Sequence, residues 1–268
     1  MTEAERKQII ALVQREVVPA IGCTEPIAVA LCVAKATETL GAKPEKIDVL
    51  LSANILKNAM GVGIPGTGMI GLPIAIALGA LIGKSEYQLE VLKDSNPAAV
   101  EEGKRFIGEK RIDISLKKNI TEKLYIEVCC KSGGNKATAI IAGGHTTFIY
   151  IARDGDVLLN KQSAGCGEEE AQVAGLTLRK VYDFAMNAPL DEIRFILETA
   201  RLNKAAAERS FDGNYGHGLG RMLRGNYEHK ILGDSVFSHI LSYTSGACDA
   251  RMAGAMIPVM SNSGSGNQ

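Results

Sequence analysis

Cys23 and Glu25 stand two residues apart in the segment IGCTEP, at the head of a long apolar run. A thiol at a helix start meets free backbone amides and the positive end of the helix dipole, and both favour the thiolate, a base or nucleophile. The Glu25 carboxylate opposes that charge. The other reading of Cys23 is a small buried residue filling space beside a cap. Asn54, Lys57 and Asn58 precede a glycine-rich turn that holds Thr67. Two amides, one ammonium and free N–H groups suit a carboxylate ligand; a turn whose Asn side chains satisfy their own backbone would look the same. His145 follows Gly143 and Gly144 at a strand junction, as a polar site residue or a turn residue. Near the far end, Cys-Asp-Ala-Arg (248–251) leads through an apolar turn into a loop containing Ser261, Asn262 and Ser263. Consecutive amides among small hydroxyls make an anion-binding nest, unless the stretch is a Gly/Ser linker.

These residues need elements to hold them. Periodicity predicts an amphipathic helix over 4–18, ended by Val18-Pro19. A second helix, capped by Thr24, has Glu25 and Pro26 in its first turn and ends at Gly41; it is apolar nearly all round and so buried. Residues 46–52 read as a strand, 69–81 as a buried helix and 86–107 as an amphipathic helix. RIDISLKK, KLYIEVCCKS, KATAIIAGG, HTTFIYIAR and DVLLNK then alternate with period two between turn signals, which predicts an antiparallel meander. Helical patterns return over 168–185, 189–208, a basic segment 213–225, and 230–246. The expected fold class is α+β: an antiparallel β meander packed with buried helices, followed by a truncated helical domain. The expected division is 1–165, mixed, and 166–268, helical and incomplete.

Composition narrows the function classes. The 268 residues carry 30 basic and 30 acidic side chains, 46% hydrophobic residues and no Trp. A net charge of zero and sparse aromatics speak against nucleic acid and against a polybasic membrane anchor. MTEAERKQIIALVQREV lacks the apolar core of a signal peptide, so a cytoplasmic protein is expected. Ala59 to Gly83 carries no charge, but its first half is loop-like and only its second half suits a buried helix. Gly61, Gly63 and Gly66 spell G-x-G-x-x-G, interrupted by Pro65 and lacking a later strand-end acid, a weak case for dinucleotide binding. Cysteines at 23, 32, 129, 130, 166 and 248 include no CxxC pair, hence neither a disulfide framework nor a zinc ribbon. Cys129 and Cys130 face opposite sides of a strand, Cys32 reads as core, and Cys166 has no partner in sequence. His217, His229 and His239 lack metal-ligand spacing.

Three longer segments carry a resemblance: IGCTEPIAVAL (21–31), NILKNAMGVGIPGTGMIGLPIA (54–75) and SGACDARMAGAMIPVMSNSGSGNQ (245–268), with GGHT (143–146) between them. Together, in this order along the chain, they resemble the L-cysteine desulfidase family, related to the iron–sulfur L-serine dehydratase alpha chain. The resemblance implies a lyase that splits L-cysteine or L-serine by α,β-elimination to pyruvate and ammonia, plus sulfide from cysteine. It implies a [4Fe–4S] cluster with one iron free to act on the leaving group. Cys23 would be the base and Glu25 would orient it or relay protons. Asn54, Lys57, Asn58, Thr67 and His145 would hold the substrate's carboxylate and amine, and Ser261, Asn262 and Ser263 would supply the nest.

Chains of that family continue past SNSGSGNQ and carry their cluster cysteines there. The resemblance therefore implies that this chain is a fragment, a proteolysed product or one half of a split enzyme. Its own cysteines offer no plausible set of three ligands, with Cys248 at best one candidate, so it is expected to bind no complete cluster alone and to turn over little or nothing. A homo-oligomer or the missing C-terminal part would cover the surface left bare. The competing reading is a non-catalytic module that binds a small amino acid in the Asn/Lys/Gly pocket.

Overall fold

The computed structural model describes residues 1–161, 175–224, 233 and 235–262. It opens with α1 (Glu3–Glu16), started by a capping box: the Thr2 hydroxyl accepts from the Glu5 amide, and the Glu5 carboxylate accepts from the Thr2 amide. The chain passes straight into a strand, β1 (Val17–Ile21), where the sequence predicted only a helix end. β1 pairs antiparallel with β8 (Pro258–Asn262), with Val17 opposite Asn262 and Ile21 opposite Pro258. Ser261 and Asn262 thus lie in a strand where a loop was expected. Neither strand alternates cleanly, and their partnership spans almost the whole sequence, so periodicity could not reveal it.

The chain then enters α2 (Thr24–Leu40). Its N-cap is Cys23, with an extended backbone; Thr24, expected to be the cap, is the first helical residue. Gly41 ends it at φ +73°, the left-handed conformation that favours glycine. α2 is buried on nearly every side because it lies between a sheet and another helix. The sheet has six strands in the order β3 (Ile112–Leu116), β2 (Lys46–Leu51), β4 (Tyr125–Ser132), β5 (Asn135–Ala142), β6 (Phe148–Arg153) and β7 (Asp156–Asn160). Strands β4 to β7 form the expected antiparallel meander. β3 does not belong to it: it pairs parallel with β2, whose other edge pairs antiparallel with β4. The helix and crossover between β2 and β3 permit that parallel return.

α2 packs across β4, β5 and β6 on one side and on α4 (Leu72–Leu81) on the other, with α5 (Pro97–Gly108) beyond. Ile27, Leu31, Leu51, Ile74, Leu78 and Ile126 are buried in this core. Cys32 belongs to it, its thiol donating to the Ala139 carbonyl at 3.3 Å. The single helix expected over 86–107 is instead a 3-10 turn (Ser85–Glu90) followed by α5. Asn96 accepts from the Ala99 amide as a cap, and Pro97 can begin a helix but not continue one.

The second half holds α6 (Leu178–Asn187), α7 (Leu190–Ile193) with a 3-10 turn after it (Arg194–Ile196), α8 (Leu197–Asp212), α9 (Leu219–Arg224) and α10 (Val236–Met252). α8, α9, α10 and β8 pack around Ala206, Ala207, Ala247 and Val259, with Phe211 and Tyr243 edge-to-face at 5.3 Å. α10 runs six residues past its expected end, so Cys248, Asp249 and Arg251 are helical. α1 is tied to this half by ion pairs from Arg6 to Glu192 (2.6 Å) and Lys180 to Glu5 (2.9 Å). The fold is α+β. The division expected at 165/166, along with Cys166, falls outside the described residues.

Candidate active site

Four of the predicted residues converge at the start of α2. Gly22 adopts φ +80°, and a Cβ there would lie 2.5 Å from the Pro65 ring. Only glycine allows both that backbone and that approach. The turn aims Cys23 back over the first turn of α2, where its thiol donates to Glu25 Oε2 at 3.0 Å. The Thr24 hydroxyl also donates to Oε2 at 3.3 Å, and the Asn58 amide, from α3 (Ala53–Ala59), donates to Oε1 at 3.3 Å. His145, half-buried in the turn between β5 and β6, interacts electrostatically with the same carboxylate.

The charges follow from this packing. Burial first, then the Glu25 charge and the hydrogen bond to it, push the Cys23 thiol up to about 12. Burial also pushes Glu25 up, but the hydrogen bonds it accepts, together with His145, hold it below the usual carboxylate range. Desolvation lowers His145, so near neutral pH it is an uncharged imidazole. With the thiol raised and the carboxylate lowered, moving the proton from sulfur to carboxylate in the resting site is strongly uphill. The helix dipole that favoured a thiolate is outweighed by burial and by Glu25. The site rests as thiol and carboxylate.

Arg251 was missed. It sits in the last turn of α10, only 4% exposed, and its Nε donates to the Gly22 carbonyl at 3.0 Å. Its charge reaches both Cys23 and His145. An arginine near a helix C-terminus ordinarily reads as a solvated charge. The available signal was its setting: Gly246, Ala247 and Ala250 are small enough to let that end of the helix go inside.

Asn54, Lys57 and Asn58 are exposed on α3, with Asn54 about one helical turn before the other two, and it is Asn58 that reaches Glu25. Thr67 is engaged locally, its hydroxyl donating to the Ile64 carbonyl at 2.8 Å and accepting from the Met69 amide at 2.9 Å. The glycine loop around it docks on the turn after α10: the Gly63 amide donates to the Met252 carbonyl at 3.0 Å and the Gly66 amide to the Gly254 carbonyl at 3.2 Å. A Cβ on Gly63 would lie 2.5 Å from Ala253 backbone. Close backbone approach thus accounts for Gly63 in the G-x-G-x-x-G match. Ser261 is fully buried on β8, with an Oγ that has no hydrogen-bond partner; Asn262 follows it, and Ser263 lies outside the described residues.

At the head of this buried helix its own thiol and carboxylate meet an imidazole from the β5–β6 turn and a guanidinium from the end of α10. Residues 86–268 match the serine dehydratase alpha chain family, and the chain belongs to that family. It is 82% identical over its full length to a UPF0597 protein of Bacteroides fragilis, covering 63% of that protein. It is 78% identical to a UPF0597 protein of Bacteroides thetaiotaomicron, covering all of this chain and 62% of the relative. Against a UPF0597 protein of Porphyromonas gingivalis the identity is 50%, covering all of this chain and 63% of the relative. The chain therefore spans less than two thirds of the length of these relatives. No solved structure matches it. Among the described residues, no helix is long and apolar enough to cross a membrane.

Proposed function

We propose that this chain supplies the proton-transfer part of a lyase acting on a small L-amino acid, L-serine or L-cysteine, by α,β-elimination. The observation that carries the reading is the Cys23–Glu25–Asn58–His145 cluster at the head of a buried helix, in a chain of the serine dehydratase alpha chain family. Elimination needs a base at the Cα–H, a group that neutralises the substrate carboxylate, and departure of the Cβ substituent. Serine gives aminoacrylate and water; the aminoacrylate then hydrolyses to pyruvate and ammonium. Cysteine loses sulfide in place of water.

The residues divide this work by their chemistry. Cys23 takes the Cα proton once its own has left the sulfur. Glu25, which already accepts the hydrogen bond from that thiol, is the acceptor at hand for the proton. A substrate ammonium approaching Glu25 would compete for the carboxylate and add positive charge beside the sulfur, lowering the cost of forming the thiolate. Lys57, with Asn54 and Asn58 beside it, suits the substrate carboxylate, and neutral His145 can donate or accept a hydrogen bond.

The [4Fe–4S] cluster implied by the resemblance does not fit the described residues. No three His, Cys, Asp or Glu side chains group there to hold a metal, and Cys32 and Cys130 lie inside the core. Among the described residues the cysteines form no disulfide with one another, which suits a reducing, cytoplasmic setting. The test is an anaerobic assay of a longer relative, reconstituted with iron and sulfide, for pyruvate from L-serine and L-cysteine. Pyruvate release that disappears when the cysteine corresponding to Cys23 becomes Ala is the expected result. No pyruvate from either amino acid would overturn the reading, and binding without turnover would turn it toward an amino-acid-binding module.

A further inference from the structure

We propose that Arg251 is a positioning residue for Cys23, fixing the Gly22–Cys23 junction and setting a positive charge against the sulfur when its proton leaves. The geometry comes from two distant parts of the chain. Gly22 is held in a left-handed turn against Pro65, and its carbonyl receives the Arg251 Nε at 3.0 Å. The Pro65 loop is itself pinned to the turn that follows Arg251, through the Gly63–Met252 and Gly66–Gly254 hydrogen bonds. The end of α10, the glycine loop and the start of α2 thus form one closed circuit of contacts that passes through Gly22, the residue before Cys23. A buried guanidinium is costly to place, and here it reaches the one junction that orients the sulfur.

The charged and titratable groups facing Cys23 are Glu25 from α2 and Arg251 from α10, with His145 from the β5–β6 turn facing both of them. Glu25 favours the thiol and Arg251 the thiolate. The step is a simple exchange: the S–H bond of Cys23 breaks, an O–H bond forms on the acceptor, and the negative charge moves onto sulfur facing Arg251.

This inference rests on the reading of Cys23 as a proton-transfer group, but it can be tested on the thiol of this chain without any lyase assay. Iodoacetamide labelling of the Cys23 peptide, measured by mass spectrometry against pH, gives the midpoint of thiolate formation independently of access. In a Glu25→Gln parent that midpoint is expected to fall into a measurable range. Adding Arg251→Gln is expected to raise it by about one pH unit or more, while Arg251→Lys, which keeps the charge, holds it near the parent's. Circular dichroism and thermal melting show which variants fold. A midpoint unmoved by Arg251→Gln in a folded protein overturns the proposal. Should that variant not fold, a full-unit rise with Arg251→Lys overturns it equally. A Glu25→Gln parent whose midpoint does not fall marks a different failure, that of Cys23 and Glu25 as a proton pair.

Discussion

The Cys23 sulfur donates its hydrogen bond to Glu25 Oε2 across 3.0 Å, so the site rests with its proton on sulfur. Glu25 opposes ionisation twice, by its charge and by accepting that hydrogen bond. Replacing it with Gln removes the charge and weakens the acceptor. The expected outcome is at least tenfold faster alkylation of Cys23 at pH 8.5, read by peptide mass spectrometry, with Cys32 and Cys130 still unlabelled in the core. Unchanged Cys23 labelling would show that burial alone holds the proton.

Burial raises three thiols together: Cys23 and Cys130 up to about 12, and Cys32 well above its usual range. The unfolded chain releases these protons near pH 8.5, whereas the folded chain keeps them. Folding stability is therefore full below about pH 8.5 and falls as pH rises toward 12, by up to about 1.4 kcal/mol per pH unit for each thiol. Urea unfolding from pH 8 to 10.5 should show this decline. Cys130→Ala should make it shallower by roughly one thiol's share, and an identical slope would count against the burial account.

The ends of α2 were legible to within a residue because Gly22, Glu25, Pro26 and Gly41 are local signals, each acting within a few residues, although the cap is Cys23 and not Thr24. The meander from β4 to β7 was legible for the same reason. The parallel partnership of β2 and β3, the pairing of Val17 with Asn262, and the reach of Arg251 to Gly22 are decided by packing between segments far apart in sequence. Cys23, Glu25, Asn58 and His145 were singled out because their types are chemically suggestive, and the fold brings them together. Arg251 was not, because nothing beside it in sequence announces that it is buried.

Gly22→Ala tests how much the site depends on its turn. A Cβ there would meet Pro65 Cγ at 2.5 Å, on a backbone at φ +80°. The strain and the clash together should cost roughly 1–3 kcal/mol in urea unfolding. The substitution should also displace Cys23 from Glu25 and make its thiol easier to ionise. Full stability retained in Gly22→Ala would mean that the turn relaxes freely and does not constrain the thiol.

Ser261 separates a structural part from a ligand-binding one. Its hydroxyl is buried on β8 with no partner, and an unsatisfied buried polar atom costs about 1–3 kcal/mol. Ser261→Ala should therefore leave stability unchanged or raise it by about 1 kcal/mol. A substrate-binding role would show instead as weakened calorimetric binding of L-serine or L-cysteine in a variant that is at least as stable. Marked destabilisation by Ser261→Ala would mean that the hydroxyl is satisfied after all.

α6 is tied to α1 by an ion pair at Lys180, yet it buries no side chain of its own. Leu178, Tyr182 and Met186 recur every four residues and are 86%, 62% and 64% exposed, with Val181 beside them. That is one continuous apolar stripe. An amphipathic helix this short gains most of its stability from what it packs against. The relatives are half as long again as this chain, and we propose that the part of them not matched here covers this stripe. Hydrogen exchange should then show the α6 amides protected in the longer Bacteroides fragilis relative and exchanging at least tenfold faster in this chain. Equal protection in the two would sink the idea. Lys in place of Leu178 and Met186 should leave the stability of this chain within about 0.5 kcal/mol and lower that of the longer protein by several times as much.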